Sequence, residues 1–176
     1  MTQYIYEEMF QYGKDETEYK KIVTEDIILE KFLDKKIITI TSKILEDITC
    51  EAFYDISHFL RKDHLIQLAN ILSDPEASDN DKDVALTLLK NANVAAGGIL
   101  PMCQDTGTAI VLAHKGSSIW TDYNDKEYIS KGISKAYSES NLRYSQLAPI
   151  SMYEEVNTKT NLPAQIDIFS SNGNEY

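Results

Sequence analysis

Hydrophobic residues recur at helical spacing through the first half of the chain and predict three successive helices. The first begins near Ser42, directly after the β-branched segment 37–41 (IITIT), which is typical of a short strand. A second, short helix follows Asp63, and Ser78 or Asp79 can cap the third, over about 81–95. At about 100° per residue, one stripe of the first helix is apolar: Leu45, Ile48, Ala52, Ile56 and Phe59.

The third helix is apolar around much of its circumference, so we expect it to lie deep in the core. Cys50 lies off the apolar stripe of the first helix, which predicts an exposed thiol at most. After Gly97 and Gly98, the segment 99–108 (ILPMCQDTGT) has neither helical nor strand period. The later elements are a buried strand from Ala109 (AIVLAH), a helix over 124–140 capped by Asn124 or Asp125 and burying Ile129, Ile133 and Ala136, and a strand over about 164–169.

This order, a helical block and then strand-helix-strand units of a mixed sheet, predicts an α+β fold. No linker or repeat divides residues 1–176, so we expect them to belong to one domain. The turn-rich stretch after the fourth helix carries no clear element.

Acidic residues dominate the charge of the chain. Lys and Arg number 17 against 28 Asp and Glu, which gives a formal net charge of −11. No basic stripe offsets this excess, which argues against nucleic acid and anionic membranes as partners. No apolar run of about 18 residues occurs, and the first twenty residues lack a secretion signal. We therefore expect a cytoplasmic protein, or a mitochondrial matrix protein if the source is eukaryotic.

The loop Cys103-Gln104-Asp105-Thr106-Gly107 places a soft metal ligand, an amide, a carboxylate and a hydroxyl side by side. Its thiolate could bind iron or zinc or act as a nucleophile. In the alternative, structural interpretation, Cys103 is a small buried hydrophobe and Asp105 caps the loop. Cys50 and Cys103 are the two cysteines, too few for a disulfide framework or a four-thiolate metal site.

Arg143 is the second candidate for a functional residue. Only Arg61 and Arg143 of the basic residues are arginines, and a guanidinium grips a carboxylate through two parallel hydrogen bonds. A structural ion pair is the alternative. His58, His64 and His114 have no spacing typical of a metal site, and Trp120 is expected to pack.

Three blocks in order resemble the amino-terminal part of class I, iron-sulfur-dependent fumarate hydratases. They are GGILPMCQDTGTAIV at 97–111, NLRYSQLAP at 141–149 and MYEEVNTKTNLPAQID at 152–167. A further block, GKDETEY at 13–19, is similar to the single-chain form of that family. Lys159 departs from the pattern, which has Gly at this position.

The resemblance implies a hydro-lyase that interconverts fumarate and L-malate, a step of the tricarboxylic acid cycle. In the family, three cysteines hold a 4Fe-4S cluster that leaves one iron open to substrate; Cys103 matches the first, and the other two would lie outside this chain. The resemblance further implies that Gln104 and Arg143 bind substrate oxygens and that Asp105 is an acid-base group. A homodimer is expected of the complete enzyme.

The last strand is followed by Ser-Ser-Asn-Gly-Asn, typical of a hairpin turn, with Glu175 and Tyr176 left for a return arm. We therefore expect a partial amino-terminal, cluster-binding domain without its carboxyl-terminal domain. Such a chain would be inactive alone and would self-associate through open apolar surface. The alternatives are a related dehydratase acting on tartrate, and a non-catalytic module of the same fold.

Overall fold

The computed structural model describes residues 5–6, 19–22, 27–104 and 106–176. Its elements in chain order are β1 (Ile27–Phe32), β2 (Lys35–Ile40), α1 (Ser42–His58), α2 (Lys62–Ile71), α3 (Asp79–Ala95), β3 (Ile110–Gly116), β4 (Ile119–Trp120), α4 (Asp125–Glu139), β5 (Leu147–Pro149), β6 (Glu155–Asn157) and β7 (Gln165–Ser171). Helices and small sheets thus alternate in an α+β fold, as predicted. No helix within the described ranges is long and apolar enough to cross a membrane.

The core forms where α1 packs against α4. Its buried members include Leu45 and Phe53 of α1 and, as predicted, Ile129, Ile133 and Ala136 of α4. Gly132 lies at the crossing, where a Cβ atom would come within 2.4 Å of the Glu46 carbonyl oxygen and 2.7 Å of the Thr49 Cβ. The two helices therefore approach more closely than any side chain at position 132 would allow.

The helix starts follow local capping rules. Thr41 is the N-cap of α1, so this helix begins at Ser42, as predicted. Ser78 caps α3 in a reciprocal capping box: its hydroxyl accepts from the Asp81 N–H at 3.2 Å, and the Asp81 carboxylate accepts from the Ser78 N–H at 3.0 Å. Asn124 is the N-cap of α4, without a side-chain hydrogen bond to the helix.

Of the apolar stripe predicted for α1, only Leu45 is buried. The buried residues of this helix are Ile44, Leu45, Thr49, Phe53 and His58. Ile48 and Ile56 are instead 42% and 59% exposed. Thr49 can occupy the contact with α4 because its hydroxyl donates to the Leu45 carbonyl at 2.7 Å, which satisfies the polar group inside the helix.

Cys50 is half-buried and packs against the core, where an exposed thiol was predicted. Burial raises the pKa of this thiol. The error has the same origin as the wrong stripe, because the position of α4 decides which side of α1 is covered.

The predicted deep burial of α3 is also wrong. Only alanines are buried in this helix (Ala85, Ala92 and Ala95), while Val84 and Val94 are 51% and 60% exposed. Within the described part of the chain, α3 packs mainly on α2, which itself has no buried residue. An apolar side of a helix becomes buried only where another element packs on it, and few elements pack on α3.

The strands of the described residues form three small sheets. In the first sheet, β2 pairs with β1 antiparallel and with β4 parallel. This sheet is therefore mixed, as predicted, although the strands β1 and β4 were not predicted. The strands β3 and β7 pair in parallel, and β5 and β6 pair antiparallel within the turn-rich stretch. After β7 the chain turns toward the β3–β4 connection, where the Gly116 N–H donates to the Glu175 carbonyl at 2.8 Å.

Candidate functional site at the Cys103 loop

The loop that carries Cys103 is anchored on the helical block. It connects α3 to β3 and turns at Gly98 and Gly107, whose φ angles of 76° and 61° are left-handed. The Met102 N–H donates to the Ser57 carbonyl at 2.9 Å, and the Asn91 side chain donates to the Met102 carbonyl at 2.8 Å. These two bonds fix the backbone immediately before Cys103.

Cys103 is an exposed thiol, so the alternative of a buried, inert cysteine does not hold. It lines a cavity of about 290 Å³ between α1 and the start of β3, together with Ser57, Thr106 and Thr108 and with apolar side chains. Gln104 is also exposed, and Asp105 lies outside the described residues, as does the block 13–18 of the GKDETEY motif.

Among the described residues of this region, Cys103 is the one strong metal ligand. No group of three His, Cys, Asp or Glu residues that could hold a metal ion occurs within the described ranges. An accessible thiol on an anchored loop suits one ligand position of an iron-sulfur cluster. The described residues thus fit one corner of such a cluster and do not form a complete ligand set.

The structure joins the Cys103 loop to the segment that carries Arg143. The Thr106 hydroxyl donates to the Arg143 carbonyl at 2.8 Å, and the Thr108 hydroxyl donates to the Gln146 side-chain oxygen at 2.9 Å. The Ser145 hydroxyl donates to the Gly107 carbonyl at 3.3 Å. Two sequence blocks that were singled out separately therefore form one surface, with Arg143 itself exposed.

Asn161 was missed by the sequence analysis, although it lies in the third matched block. It is completely buried and has a left-handed backbone, with φ of 55°. Its side chain hydrogen-bonds to both the Cys103 loop and the Arg143 segment. Lys159 nearby is also left-handed, with φ of 58°, a conformation that favours glycine, the residue that the resemblance leads us to expect at this position.

The histidines lie elsewhere. His58 is fully buried; its Nδ1 lies 2.8 Å from the Tyr54 carbonyl oxygen, and its ring stacks on Tyr54 at 4.3 Å between centroids. His114 lies on β3 against the Phe169 ring, and His64 is exposed on α2. A structural role accounts for the position of His58. Trp120 contacts the Phe32 ring, as expected of a packing residue, although it is 47% exposed.

A second polar centre lies at the start of α4, apart from the Cys103 loop. The Asp125 carboxylate accepts from the Lys115 ammonium at 2.7 Å and from the Tyr176 hydroxyl at 2.9 Å. Burial alone would raise the pKa of Asp125, but hydrogen bonds from Lys115, Thr121 and Tyr176 outweigh it and hold the pKa below its usual value. Burial and then the Asp125 carboxylate raise the pKa of Tyr176. Burial, with the nearby carboxylates, raises the pKa of Tyr123 to about 12.

A larger cavity, of about 780 Å³, lies between α1, β3 and the last residues of the chain. Its lining is mainly apolar and includes none of Cys103, Gln104 and Arg143. We therefore take the smaller cavity as the candidate site, because Cys103 lines it together with Ser57, Thr106 and Thr108, whereas size alone indicates no chemistry.

Comparison with known proteins gives one consistent family. The sequence model of the family described as "Fumarate hydratase (Fumerase)" matches residues 46–176. The chain is 47% identical over 171 residues to "Fumarate hydratase class I, aerobic" of Escherichia coli (strain K12), covering 97% of this chain and 31% of that protein. It is 49% identical over 173 residues to the anaerobic class I enzyme of the same strain, covering 98% and 32%.

A more distant match is the "Putative L(+)-tartrate dehydratase subunit alpha" of Methanocaldococcus jannaschii, 29% identical over 123 residues, which cover 67% of this chain and 41% of that subunit. The chain thus spans about a third of the length of the class I relatives that it matches.

Proposed function

The chain belongs to the fumarate hydratase family, and from that membership we propose that it supplies one wall of a hydro-lyase site that interconverts fumarate and L-malate. The observation that carries the proposal is the join between the Cys103 loop and the Arg143 segment through the Thr106 hydroxyl. This contact supports the proposal because the two linked segments carry a thiol and a guanidinium, the groups that we assign to cluster binding and dicarboxylate binding.

We propose that Cys103 binds one iron of a 4Fe-4S cluster, whose other two cysteine ligands are not supplied by this chain. When bound, such a cluster supplies a Lewis acid that polarises an oxygen of the substrate. The exposure of the Cys103 thiol and its anchored backbone support this role.

The remaining roles belong to side chains of this chain. The Arg143 guanidinium would bind a substrate carboxylate through two parallel hydrogen bonds, and the Gln104 amide would bind a further oxygen. A local cation is required because the chain has a net charge of −11 and the substrate is a dianion. Asp105, adjacent to Gln104 in sequence, is proposed to hold or release the proton exchanged at the substrate carbon.

We further propose that the protein works in the cytoplasm, or in the mitochondrial matrix of a eukaryote, as part of the tricarboxylic acid cycle. A homodimer is the proposed assembly of the complete enzyme. The acidic charge and the absence of a basic stripe in the sequence support the expectation that neither nucleic acid nor a membrane is a partner.

The proposal is tested by grafting. Residues 1–176 replace the matched segment of a full-length class I relative, and the chimera is reconstituted anaerobically with iron and sulfide. We expect the brown cluster chromophore and fumarate hydration in the chimera. Cys103→Ser should abolish both, while Cys50→Ser, the matched control, should keep both. A chimera that retains its chromophore and activity after Cys103→Ser would contradict the proposal.

Arg143→Lys separates substrate binding from cluster binding. Lysine keeps the charge and loses the paired hydrogen bonds, so kcat/KM for fumarate should fall by about tenfold or more while the chromophore is unchanged. Arg61→Lys is the control and should have no effect on either. The chain alone, with one cluster thiolate, should show neither a stable chromophore nor activity.

A tartrate dehydratase is the second candidate, favoured by the match to the Methanocaldococcus jannaschii subunit. A single guanidinium that binds one carboxylate does not distinguish between hydroxy-dicarboxylate substrates. Comparison of kcat/KM for L-malate and L(+)-tartrate in the chimera distinguishes the two. If both the chimera and the relative bind a cluster but only the relative turns over substrate, a non-catalytic module of the same fold is favoured instead.

A further inference from the structure

We propose that Asn161 is a positioning residue, whose side chain fixes the Cys103 loop at a set separation from the Arg143 segment. The importance of this join for catalysis rests on the proposed function. The join itself depends only on contacts within the described residues and can be tested without activity.

The Asn161 carboxamide bridges the two segments. Its Oδ1 accepts from the backbone N–H groups of Ser145 and Gln146 at 2.9 and 3.0 Å. Its Nδ2 donates to the Gly107 carbonyl at 3.0 Å. Ser145 and Gly107 are 38 residues apart in sequence, so one side chain replaces a direct backbone contact between two distant parts of the chain.

Because Asn161 is buried, its hydrogen bonds hold the two segments together more strongly than the exposed hydrogen bonds between them do. The Thr106 and Ser145 hydroxyls also link the segments, but they do so at the solvent-exposed part of the surface, where water competes for their partners. Asn161 has no exposed area. A buried group that loses its partner gains no replacement from water, so each of its three bonds resists opening.

The residue type is dictated by the contacts. A carboxamide can accept two hydrogen bonds on its oxygen and donate from its nitrogen, which a carboxylate or an aliphatic side chain cannot do. Asparagine also tolerates the left-handed backbone with φ of 55°. The substitution Asn161→Asp would keep the bonds from Ser145 and Gln146 and would set a carboxylate oxygen against the Gly107 carbonyl.

The effect on the loop can be measured at Cys103, whose exposed thiol is three residues before Thr106. We expect Asn161→Asp to raise the rate of iodoacetamide alkylation at Cys103 by roughly fivefold to tenfold, because the loop opens more often. The half-buried Cys50 thiol in the same molecule should keep its rate, since α1 is not affected. Mass spectrometry of the two cysteine peptides gives both rates.

Asn157→Asp is the matched control. The Asn157 side chain also donates to a backbone carbonyl, that of Tyr144, at 2.6 Å, but it makes no hydrogen bond to the described residues of the Cys103 loop. The same amide-to-carboxylate change at this position should leave the Cys103 rate unaltered. An unchanged Cys103 rate in folded Asn161→Asp, or an equal rise in the control, would overturn the proposal.

A second measurement needs no substitution, and it tests the proposal if Asn161→Asp unfolds the chain. A higher alkylation rate at Cys50 would reveal such unfolding. In the unsubstituted chain, the Ser145 and Gln146 amides should exchange with deuterium at least about tenfold more slowly than the amide of Met152, which is 87% exposed. Equal exchange rates would overturn the proposal.

In the active chimera, Asn161→Asp should lower kcat more than it raises KM for fumarate, because misplacement of bound groups affects the reaction more than binding. A chimera without activity in any variant would count against the proposed function alone, since the alkylation and exchange results do not depend on it.

Discussion

Single residues in unusual backbone conformations shape the surface around the candidate site. Asn141, Lys159 and Asn161 all have φ between 55° and 58°. Asparagine adopts this left-handed region readily, whereas lysine has no side-chain group that offsets the steric cost. Lys159 therefore carries a local backbone strain that glycine would not have.

Replacement of Lys159 by glycine should therefore stabilise the chain. Glycine relieves the left-handed strain, and after its greater backbone entropy in the unfolded state is subtracted, we expect a gain of about 0.5–1 kcal/mol in the free energy of unfolding. Urea unfolding followed by circular dichroism measures the change. Lys90→Gly, an exposed change inside α3, is the control and should lose about 1 kcal/mol. A loss of similar size at Lys159 would contradict the interpretation.

Among the secondary-structure elements, the crossing of α1 and α4 has the strictest packing requirement. The missing side chain of Gly132 lets α4 approach the Glu46 carbonyl and the backbone nitrogen of Cys50. Backbone atoms cannot move aside as the end of a flexible side chain can. The close crossing brings Ile129, Ile133 and Ala136 into the core.

Gly132→Ala should destabilise the chain although alanine favours helices. The propensity gain is about 1 kcal/mol, while overpacking against backbone costs about 3 kcal/mol or more, so a net loss of about 2 kcal/mol or more is expected. The midpoint of urea unfolding gives the result. Ser138→Ala on the exposed face of α4 should change stability by less than about 0.5 kcal/mol. Equal stability of the two variants would show that the crossing can relax.

On the scale of the whole molecule, Asp125 connects three parts that are distant in sequence. Its carboxylate binds Lys115 at the end of β3 and Tyr176 at the end of the chain, and it begins α4. The Lys115 and Asp125 side chains are 24% and 11% exposed, so solvent screens this pair only in part.

These contacts of the Asp125 carboxylate predict that the stability of the fold depends on pH. Because the folded-state pKa of Asp125 is lowered, its ionised form stabilises the fold above the ordinary carboxylate pKa of about 4, and the contribution is lost as the pH falls through the lowered value. Asp125→Asn should cost about 2 kcal/mol at pH 7, and the difference from the unsubstituted chain should shrink below about pH 4. Urea unfolding at several pH values measures this.

Asp122→Asn, at an exposed carboxylate in the same turn, is the control for this series and should change stability by less than about 0.5 kcal/mol at pH 7. A deficit for Asp125→Asn that stays constant or grows as the pH falls to about 3 would rule out the proposed role of its ionised form.

Open apolar surface is a further property of the whole molecule. Ile110 and Leu112 of β3 are 58% and 49% exposed, and the apolar side chains of β1 are exposed as well. These surfaces support the expectation of self-association, which stays a prediction.

The sequence by itself determined the features that depend on neighbouring residues. The start of α1 after Thr41 and the cap of α3 at Ser78 follow from side chains that bond within their own turn. The periodic core residues of α4 and the Cys103 loop were likewise evident from local patterns, because each is encoded within one short stretch. The family was evident from three such stretches in order.

Only the tertiary structure decided which surfaces meet. Whether α1 buries Thr49 or Ile48 depends on where α4 crosses it, and the exposure of α3 depends on how few elements pack on it. The bridge from Asn161 to Gly107 joins positions 54 residues apart. No local pattern encodes such contacts, since their free energy arises only when distant segments have already been brought together.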